Sequence, residues 1–306
     1  MRALLLGGAG FIGLHLARRL LADGHSVTIV DDFSRGKHDF GDLGDVRSLD
    51  LTLASSYSTL DKDGWDQIYM LAAIVGVRNV EADPGRVLRV NSLALLHLLD
   101  WIKPGQRLFF ASTSEAYAGG VSAGLVPVPT PETVPLLIED VGSARYSYAI
   151  SKALGEAAVI HSPAAAVVGR FHNVYGPRMG ADHVIPELSL RALRGEDPFR
   201  LYGSDQSRAF CYVDDAVEAM VRLMDADFSG IVHIGNPEET NIGDLAKLVL
   251  RVAGASPQID AVPAPPGSVA RRCPDISLLQ QVTGFTPQIS LEEGVRRTFA
   301  WYREQL

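Results

Sequence analysis

The chain has 306 residues, of which 47% are hydrophobic and 21% charged, and its formal net charge at pH 7 is −8. This composition is typical of a globular protein that is long enough to form one large domain or two moderate ones. The acidic balance and the lack of any Lys/Arg run argue against a nucleic-acid-binding surface, and no apolar stretch reaches the roughly 18 residues that cross a bilayer.

The sequence also disfavours metal and disulfide chemistry. The two cysteines, Cys211 and Cys273, form neither a disulfide framework nor a metal-binding pattern. The eight histidines have no i, i+4 pairs, so we expect no metal site. Residues 3–6 are apolar and run directly into a glycine turn, which predicts a first strand rather than a signal peptide, and a cytoplasmic location is the default expectation.

The first predicted element is a strand, followed by a glycine-rich turn and an amphipathic helix. Gly7 would allow the tight turn, Gly10 would let the backbone approach a pyrophosphate, and Gly13 would let the helix pack close to the strand. The helix N-terminus would then present unpaired N–H groups to the phosphates. A purely structural turn is the alternative. The predicted cofactor contacts in this turn are Gly7, Gly10, Phe11, Ile12 and Gly13.

A second predicted strand, residues 26–30, ends in Asp31, and both Asp31 and the adjacent Asp32 are predicted cofactor contacts. An acidic residue at this position hydrogen-bonds the ribose hydroxyls of the adenosine and repels a 2′-phosphate. The sequence therefore predicts NAD rather than NADP as the cofactor.

The rest of the first half alternates strand and helix patterns, which predicts an α/β fold with a Rossmann-type, doubly wound parallel sheet. The predicted strands are residues 65–71, 107–111 and 164–170, and the predicted helices are residues 84–101 and 146–161. A Pro- and Gly-rich loop is expected over residues 118–144.

Beyond the last of these strands the pattern changes to short strands, helices and Pro-rich connections such as residues 262–267. We therefore predict an NAD-binding Rossmann domain over residues 1–172, to which residues 208–236 return. Residues 173–306 would mainly form a smaller C-terminal α/β cap that binds the substrate. The cleft between the two, at the carboxyl ends of the strands, is the expected ligand site.

Two segments carry side chains suited to proton transfer. Tyr148 and Lys152 lie four residues apart on a predicted helix, and therefore on one face. A tyrosine has a pKa of about 10, and a nearby lysine together with an oxidised nicotinamide would lower it. By itself this pair fits an amphipathic helix with a snorkelling lysine. However, Thr113 follows the strand of residues 107–111, where its hydroxyl can reach the same substrate oxygen.

Taken together, these motifs resemble the extended short-chain dehydrogenase/reductases that act on nucleotide sugars. The matching segments occur in order over nearly the whole chain. They are residues 7–13, Asp31, residues 50–51, residues 71–73, Asn91, residues 112–115, Tyr148 with Lys152, residues 170–178, residues 208–215 and residues 271–276.

The resemblance implies a role for each of these residues. Tyr148 would take the proton of the sugar C4′ hydroxyl while hydride passes to NAD, and Thr113 would share the hydrogen bond to that oxygen. Lys152 would hold the nicotinamide ribose. Further implied cofactor contacts are Asp50, Leu51, Leu71, Ala72, Ala73 and Asn91. The implied substrate contacts are Asn173, Val184, Ile185, Tyr202, Arg208, Arg271 and Arg272, of which Asn173 and Arg208 would bind the diphosphate.

The residues beside Thr113 bear on the reaction that follows oxidation. Thr113-Ser114-Glu115 and the segment of residues 271–276 are similar to UDP-glucuronate decarboxylases. In that case Ser114 would hold the substrate carboxylate, and Arg272 or Glu115 would manage the proton at C5′. A UDP-hexose 4-epimerase and an NDP-hexose 4,6-dehydratase stay open as alternatives, as does a non-catalytic NAD-binding sensor. Glu115 would, on a structural interpretation, be a carboxylate satisfied by backbone at the head of a turn.

The resemblance also implies a homodimer, because the helices near residues 84–101 and 146–161 pair with their copies in related enzymes. The first of these helices has more apolar surface than one sheet face can cover. Its candidate interface residues are Leu95, Leu96, Leu98 and Leu99. The alternative is a helix buried within a monomer.

Overall fold

The computed structural model describes residues 1–35, 43–264 and 269–306. Residues 265–267 of the predicted Pro-rich connection lie outside this part of the chain. The strands are β1 (Arg2–Leu6), β2 (Ser26–Asp31), β3 (Asp45–Ser48), β4 (Gln67–Met70), β5 (Arg107–Thr113), β6 (Ala165–Phe171), β7 (Val174–Tyr175), β8 (Phe199–Tyr202), β9 (Ser207–Ala209), β10 (Cys211–Tyr212), β11 (Gly230–Ile234), β12 (Glu239–Asn241), β13 (Ile259–Val262) and β14 (Arg271–Arg272).

The helices complete the α/β alternation. They are α1 (Phe11–Ala22), α2 (Ala54–Tyr57), α3 (Val77–Ala82), α4 (Pro84–Trp101), α5 (Ala118–Ser122), α6 (Arg145–Ile160), α7 (Val184–Leu193), α8 (Val213–Asp225), α9 (Ile242–Ala253), α10 (Ser277–Thr283) and α11 (Leu291–Glu304), with a 3₁₀ turn over Ser114–Tyr117. In the part of the chain that the structure describes, no helix is long and apolar enough to cross a membrane.

A seven-stranded parallel sheet forms the centre of the molecule, with the strand order β11-β6-β5-β4-β1-β2-β3. Residues Leu4, Leu5 and Leu6 of β1 are fully buried because helices cover both faces of the sheet. Alternate side chains of β1 enter two separate cores: Leu5 packs on the α1 and α8 side, and Leu4 and Leu6 on the α4 and α6 side. The predicted α/β fold with a Rossmann-type sheet is confirmed.

The strand order reverses between β1 and β4, and the crevice at this reversal is the ligand-binding position of doubly wound sheets. The carboxyl ends of β1, β2, β4 and β5 all open onto this side. Residues that follow these ends, in the glycine turn and after Thr113, therefore meet in space although they are far apart in sequence.

The second half of the chain contributes both to the large sheet and to a group of smaller sheets and helices. Helix α8 packs against β5, β6 and β11, and β11 pairs with β6 as the outer strand of the large sheet. The remaining elements form small sheets, β12-β9-β14 and β13-β8, with α7, α9 and α11 packed on one another.

One predicted loop contains a helix. The expectation of a loop over residues 118–144 is wrong at its start, where α5 spans Ala118–Ser122. The glycines that suggested a loop serve close packing instead. A Cβ atom on Gly119 would lie 2.3 Å from the Leu137 carbonyl oxygen, and one on Gly120 would lie 2.6 Å from Val126.

Candidate active site

The glycine turn after β1 forms a cradle made of backbone. Gly7 has φ +80°, and a Cβ atom there would lie 2.4 Å from the Ala72 Cα. A Cβ atom on Gly13 would lie 2.6 Å from Gly8, so α1 packs directly on the turn. Gly10 is the N-cap of α1, whose first N–H groups have no acceptor within the helix. This donor set fits the pyrophosphate of a dinucleotide, and Phe11 and Ile12 begin that helix.

Asp31 connects the end of β2 to this cradle. Its Oδ2 accepts from Ala9 N at 3.0 Å, and its Oδ1 accepts from Phe33 N at 2.9 Å. Burial raises the pKa of Asp31 from its usual value, although these backbone N–H groups act the other way. Asp32 is more exposed, and its Oδ1 accepts from the backbone and hydroxyl of Ser34. Asp31 is thus the aspartate that adjoins the glycine turn.

The other predicted cofactor residues line neighbouring strand ends. Asp50 accepts from the backbone and hydroxyl of Thr52 in a turn, and Leu51 is buried. After β4, the backbone N–H groups of Leu71 and Ala72 both donate to Leu6 O, at 2.8 and 2.9 Å. The loop that continues through Ala73 therefore lies beside the glycine turn.

Asn91 holds this loop in place. Its Oδ1 accepts from Ile74 N at 2.7 Å, and its Nδ2 donates to Ile74 O and Ser151 Oγ, both at 3.2 Å. The side chain is buried, and both of its amide hydrogens are used within the protein. The structure therefore supports a positioning role for Asn91 between the β4 loop and α6.

Tyr148, Lys152 and Thr113 meet where α6 crosses the end of β5. Thr113 lies beside Tyr148, and hydrogen bonding between their hydroxyl groups acts to lower the pKa of Tyr148. Lys152 Nζ donates to Ala111 O at 2.7 Å and lies 4.9 Å from the centroid of the Phe110 ring. Burial lowers the pKa of Lys152 to about 8, although the charge of Glu156 acts in the opposite direction.

In the protein alone, the pKa of Tyr148 is raised, whereas the lowering expected from the sequence depended on Lys152 together with an oxidised nicotinamide. Burial is the main cause, the charge of Glu115 adds to it, and the hydrogen bond with Thr113 only partly offsets them. Lys152 Nζ is 5.9 Å from the centroid of the Tyr148 ring and donates to a carbonyl instead. Tyr148 therefore requires a further positive charge, such as an oxidised nicotinamide, to become an effective base.

Glu115 is paired with arginine rather than satisfied by backbone. Arg272 Nη1 donates to Glu115 Oε1 at 2.5 Å, and Arg145 Nη2 lies 4.0 Å from Glu115 Oε2. Burial would raise the pKa of Glu115, but the charge and hydrogen bond of Arg272, together with Arg145 and Arg208, hold it below its usual value. Glu115 is therefore an ionised carboxylate facing three arginines.

Strand pairing brings the arginines together. Arg272 of β14 is the register partner of Arg208 of β9. Burial, followed by the charge of Arg272, lowers the pKa of Arg208 to about 10. Its guanidinium donates to Ser207 O at 2.8 Å and to Gln206 Oε1 at 3.1 Å. With one carboxylate among three guanidinium groups, this arginine cluster (Arg145, Arg208 and Arg272) has two net positive charges, which suits an anionic ligand.

The structure does not bring every predicted substrate residue to this cluster. Arg271 projects from the opposite face of β14 and pairs with Glu239, Nη2 to Oε1 at 2.8 Å, because neighbouring strand residues alternate in direction. Val184 begins α7, but the Ile185 side chain is buried in the core. Tyr202 ends β8 and is half exposed.

Two further predicted residues lie near the arginine cluster: Asn173, whose side chain is held by a hydrogen bond, and Ser114, whose side chain is buried. Asn173 has φ +40°, and its Nδ2 donates to Ala209 O at 2.9 Å, next to Arg208 on β9. Ser114 is 2% exposed, at the start of the 3₁₀ turn that carries Glu115.

Sequence analysis assigned no role in the site to three charged residues: Arg145, Glu156 and Arg170. Arg145 is three residues before Tyr148, and Glu156 is four residues after Lys152. Helical spacing therefore places both on the face of α6 that carries the proton-transfer pair, and this signal was available in the sequence.

A dinucleotide cradle at the strand-order reversal, next to a Tyr-x-x-x-Lys helix, defines an enzyme that moves hydride to and from a bound nicotinamide. The chain belongs to the NAD dependent epimerase/dehydratase family, whose sequence model matches residues 3–243. It is an NAD-dependent enzyme of nucleotide-sugar metabolism.

Individual relatives span the whole chain. A UDP-N-acetyl-alpha-D-glucosaminuronate decarboxylase of Bacillus cytotoxicus is 33% identical, over 99% of this chain and 98% of the relative. UDP-glucuronic acid decarboxylase 1 of Xenopus tropicalis is 33% identical, over 100% of this chain and 73% of the relative. The solved UDP-glucose 4-epimerase of Thermotoga maritima with UDP-glucose has a TM-score of 0.88 at 28% identity, over 100% of this chain and 99% of that structure.

Proposed function

We propose that this enzyme oxidises a UDP-linked uronic acid at C4′ and then decarboxylates it to a UDP-pentose, UDP-xylose or its 4-keto form if the substrate is UDP-glucuronate. The observation that carries the proposal is the ionised Glu115 within the arginine cluster, close to the Tyr148–Thr113 pair. The relatives named as UDP-uronate decarboxylases support it.

The first step is oxidation at C4′, for which NAD supplies the hydride acceptor. Tyr148 accepts the proton of the C4′ hydroxyl, and Thr113 hydrogen-bonds the same oxygen. Lys152 binds the nicotinamide ribose through the ammonium that now donates to Ala111 O. We propose that the cradle of Gly7, Gly10 and Gly13 holds the pyrophosphate, with Asp31 on the adenosine ribose.

The second step is loss of CO₂. Oxidation at C4′ makes the substrate a β-keto acid, so the electrons of the breaking C5′–carboxylate bond flow into the ketone and leave an enolate. Thr113 and Tyr148 stabilise the enolate oxygen by hydrogen bonds. Arg272 binds the substrate carboxylate before it leaves, and the enolate then takes a proton at C5′ from a water molecule that the ionised Glu115 orients by accepting a hydrogen bond.

Charge favours this reaction over the two alternatives. A 4,6-dehydratase needs a carboxylic acid to protonate the departing 6-hydroxyl group. Ser114 is not such an acid, and the pKa of Glu115 is lowered so that it is ionised. A 4-epimerase acts on a neutral hexose, which would use the diphosphate-binding Arg208 but has no carboxylate for Arg272 and Arg145. A non-catalytic sensor would have no need of Tyr148, Lys152 and Thr113 in contact range.

The proposal is tested by product identity. The purified protein is incubated with NAD and, separately, with UDP-glucuronate, UDP-N-acetylglucosaminuronate and UDP-glucose, and the products are followed by mass spectrometry and CO₂ release. We expect CO₂ and a UDP-pentose, or its 2-acetamido counterpart, from one of the uronates. Clean interconversion of UDP-glucose and UDP-galactose, with no CO₂ from either uronate, would instead establish a 4-epimerase.

We further propose that the part of residues 173–306 outside the large sheet is the nucleotide-sugar cap, and that the enzyme is a homodimer joined through α4 and α6. These helices pack on each other and expose Leu93, Leu96, Leu154 and Ile160. Of the leucines expected at the interface, Leu95 and Leu98 are fully buried within the protomer, so they do not contribute.

A further inference from the structure

A buried ion pair lies behind the active site, between α6 and β6. Arg170 Nε donates to Glu156 Oε1 at 2.8 Å, and its Nη2 donates to Oε2 at 2.7 Å. Both residues are at most 3% exposed. Removing two charges from water is costly, and a buried pair often contributes less to stability than apolar residues would. Its contacts therefore indicate a role in setting geometry.

On one side, Glu156 fixes α6 against the end of β5. Ser112 Oγ donates to Glu156 Oε1 at 2.5 Å, and one turn earlier Lys152 Nζ donates to Ala111 O. Between these two contacts the helix approaches the strand so closely that a Cβ atom on Gly155 would lie 2.4 Å from the Phe110 ring. These two side-chain hydrogen bonds fix the position of α6 along β5 and its rotation about its own axis. They thereby hold Tyr148 opposite the residue that follows Ser112, which is Thr113.

On the other side, Arg170 reaches the segment that carries Arg272. Its Nη1 donates to Glu132 O at 2.8 Å, and Glu132 Oε1 accepts from His233 N at 2.9 Å. Two residues earlier, Thr130 N donates to Cys273 O at 2.9 Å, and Asp275 N donates to Thr130 O at 2.8 Å. The backbone directly after Arg272 is thus bonded to the loop that Arg170 holds.

We propose that Glu156 and Arg170 are positioning residues that set the geometry between the Tyr148–Thr113 pair and the Glu115–Arg272 pair. The positioning of Tyr148 by Glu156 applies to any enzyme that oxidises C4′. Only the positioning of Arg272 through Arg170 rests on the proposed decarboxylation. Glu156 has a second effect, because its charge supports the ammonium of Lys152. The titratable groups facing Lys152 are Tyr148 and Glu156 on α6, and β5 contributes the Ala111 carbonyl. Arg170 of β6 contacts Glu156 rather than Lys152.

The main test is Glu156→Gln, which keeps the shape and an acceptor for Ser112 but removes the charge. We expect the variant to bind NAD as the wild type does, and kcat to fall about 10²-fold with little change in KM, as a displacement near 1 Å would produce. The alkaline limb of the kcat–pH profile should move to lower pH, since Lys152 loses its supporting carboxylate. A residue that only stabilised the fold would leave this profile unchanged.

Two further variants test the positioning of Arg272 and the positioning of Tyr148 separately. Arg170→Lys keeps the positive charge but gives up the fork that reaches both Glu156 and Glu132, so the ratio of CO₂ released to nicotinamide reduced should fall. Ser112→Ala keeps the ion pair and removes only the bond to β5, so it tests the α6 contact even if Glu156→Gln fails to fold. Its kcat should fall several-fold with no change in NAD affinity. Glu218→Gln, which breaks a peripheral ion pair with Arg19 (2.8 Å), is the control and should behave as wild type.

The readouts distinguish this inference from the proposed function. Reduction of nicotinamide on adding the nucleotide sugar reports the C4′ oxidation, and CO₂ reports the later step. If the wild type reduces NAD but never releases CO₂, the proposed decarboxylation is wrong. The effect of Glu156→Gln and Ser112→Ala on the placement of Tyr148 is then still measured by the rate of nicotinamide reduction. Folded Glu156→Gln and Ser112→Ala proteins with wild-type kcat, KM and pH profile would overturn the inference.

Discussion

Arg272 donates a 2.5 Å hydrogen bond to Glu115 across 157 positions of sequence. The two residues come from different parts of the molecule, the end of β5 and the short strand β14. In the proposed decarboxylation, this pair would act on the substrate carboxylate, a group that a simple 4-epimerisation of a hexose does not involve.

Removing this pair should stop decarboxylation more than oxidation. For Glu115→Gln and Arg272→Ala we expect CO₂ release to fall by about 10²–10³-fold, the usual effect of losing a charged group aimed at a transition state. Reduction of the bound nicotinamide should fall less, because Tyr148 and Thr113 remain. Arg271→Ala is the matched control, since its guanidinium pairs with Glu239 on the other face of β14. Equal losses in all three variants would place the carboxylate elsewhere.

Replacing Tyr148 with phenylalanine should abolish turnover without loss of ligand binding. Only the phenolic oxygen is removed, and loss of a general base costs about 10²–10⁴-fold in rate. Calorimetry with NAD and with the nucleotide sugar should give affinities within a few-fold of the wild type. A Tyr148→Phe enzyme that kept most of its activity would show that another group takes the C4′ proton.

Burial of Lys152 predicts a stability effect with a definite sign. Its pKa is about 8 in the folded protein and 10.5 ordinarily, so between these pH values the unfolded chain binds the additional proton. The free energy of unfolding therefore rises with pH across this window, by up to about 3 kcal/mol for such a shift. Urea unfolding of wild type and Lys152→Met at pH 7 to 11 measures it. If the difference in the free energy of unfolding between the two proteins did not change with pH, Lys152 would have an ordinary pKa in the folded protein.

The sequence predicted the elements that local rules determine. Helix α4 has the bounds Pro84–Trp101 that were expected, because Asp83 caps it through Arg86 N and proline occupies its first turn. Tyr148 and Lys152 were correctly placed on one helix by their spacing. The parallel sheet followed from the alternation of strand and helix patterns.

Very short strands and contacts between residues far apart in sequence could not be predicted from local sequence patterns. Strand β14 is only two residues long, so no periodicity indicated that Arg272 would face Glu115 while Arg271 faces away. The pairing of Glu156 with Arg170 depends on how α6 crosses β6. The raised pKa of Tyr148 in the protein alone could not be predicted either, because its main cause is burial, which sequence spacing does not report.

Cofactor preference should depend on Asp31 far more than on Asp32. Asp31 adjoins the glycine turn through Ala9 N, where its charge would repel a 2′-phosphate, whereas Asp32 is exposed and occupied by Ser34. We expect Asp31→Ala to lose at least about tenfold in its preference for NAD over NADP, in line with the loss of one charge-assisted bond, and Asp32→Ala to change it less. Both are measured by titrating the protein with each cofactor. Equal affinity of the wild type for NAD and NADP would contradict the assignment of Asp31.

The proposed dimer makes the last prediction. Leu96 is 39% and Leu154 is 43% exposed on two helices that pack together, and apolar groups at this density favour burial against a second copy. Light scattering at micromolar concentration should give the mass of a dimer for the wild type. Leu96→Lys would place a charge in the interface and should shift the protein towards monomer. Leu125→Lys is the control, because Leu125 is 65% exposed and belongs to neither of the two helices. A monomeric wild type would mean that the exposed leucines of α4 and α6 face solvent and that the proposed dimer is wrong.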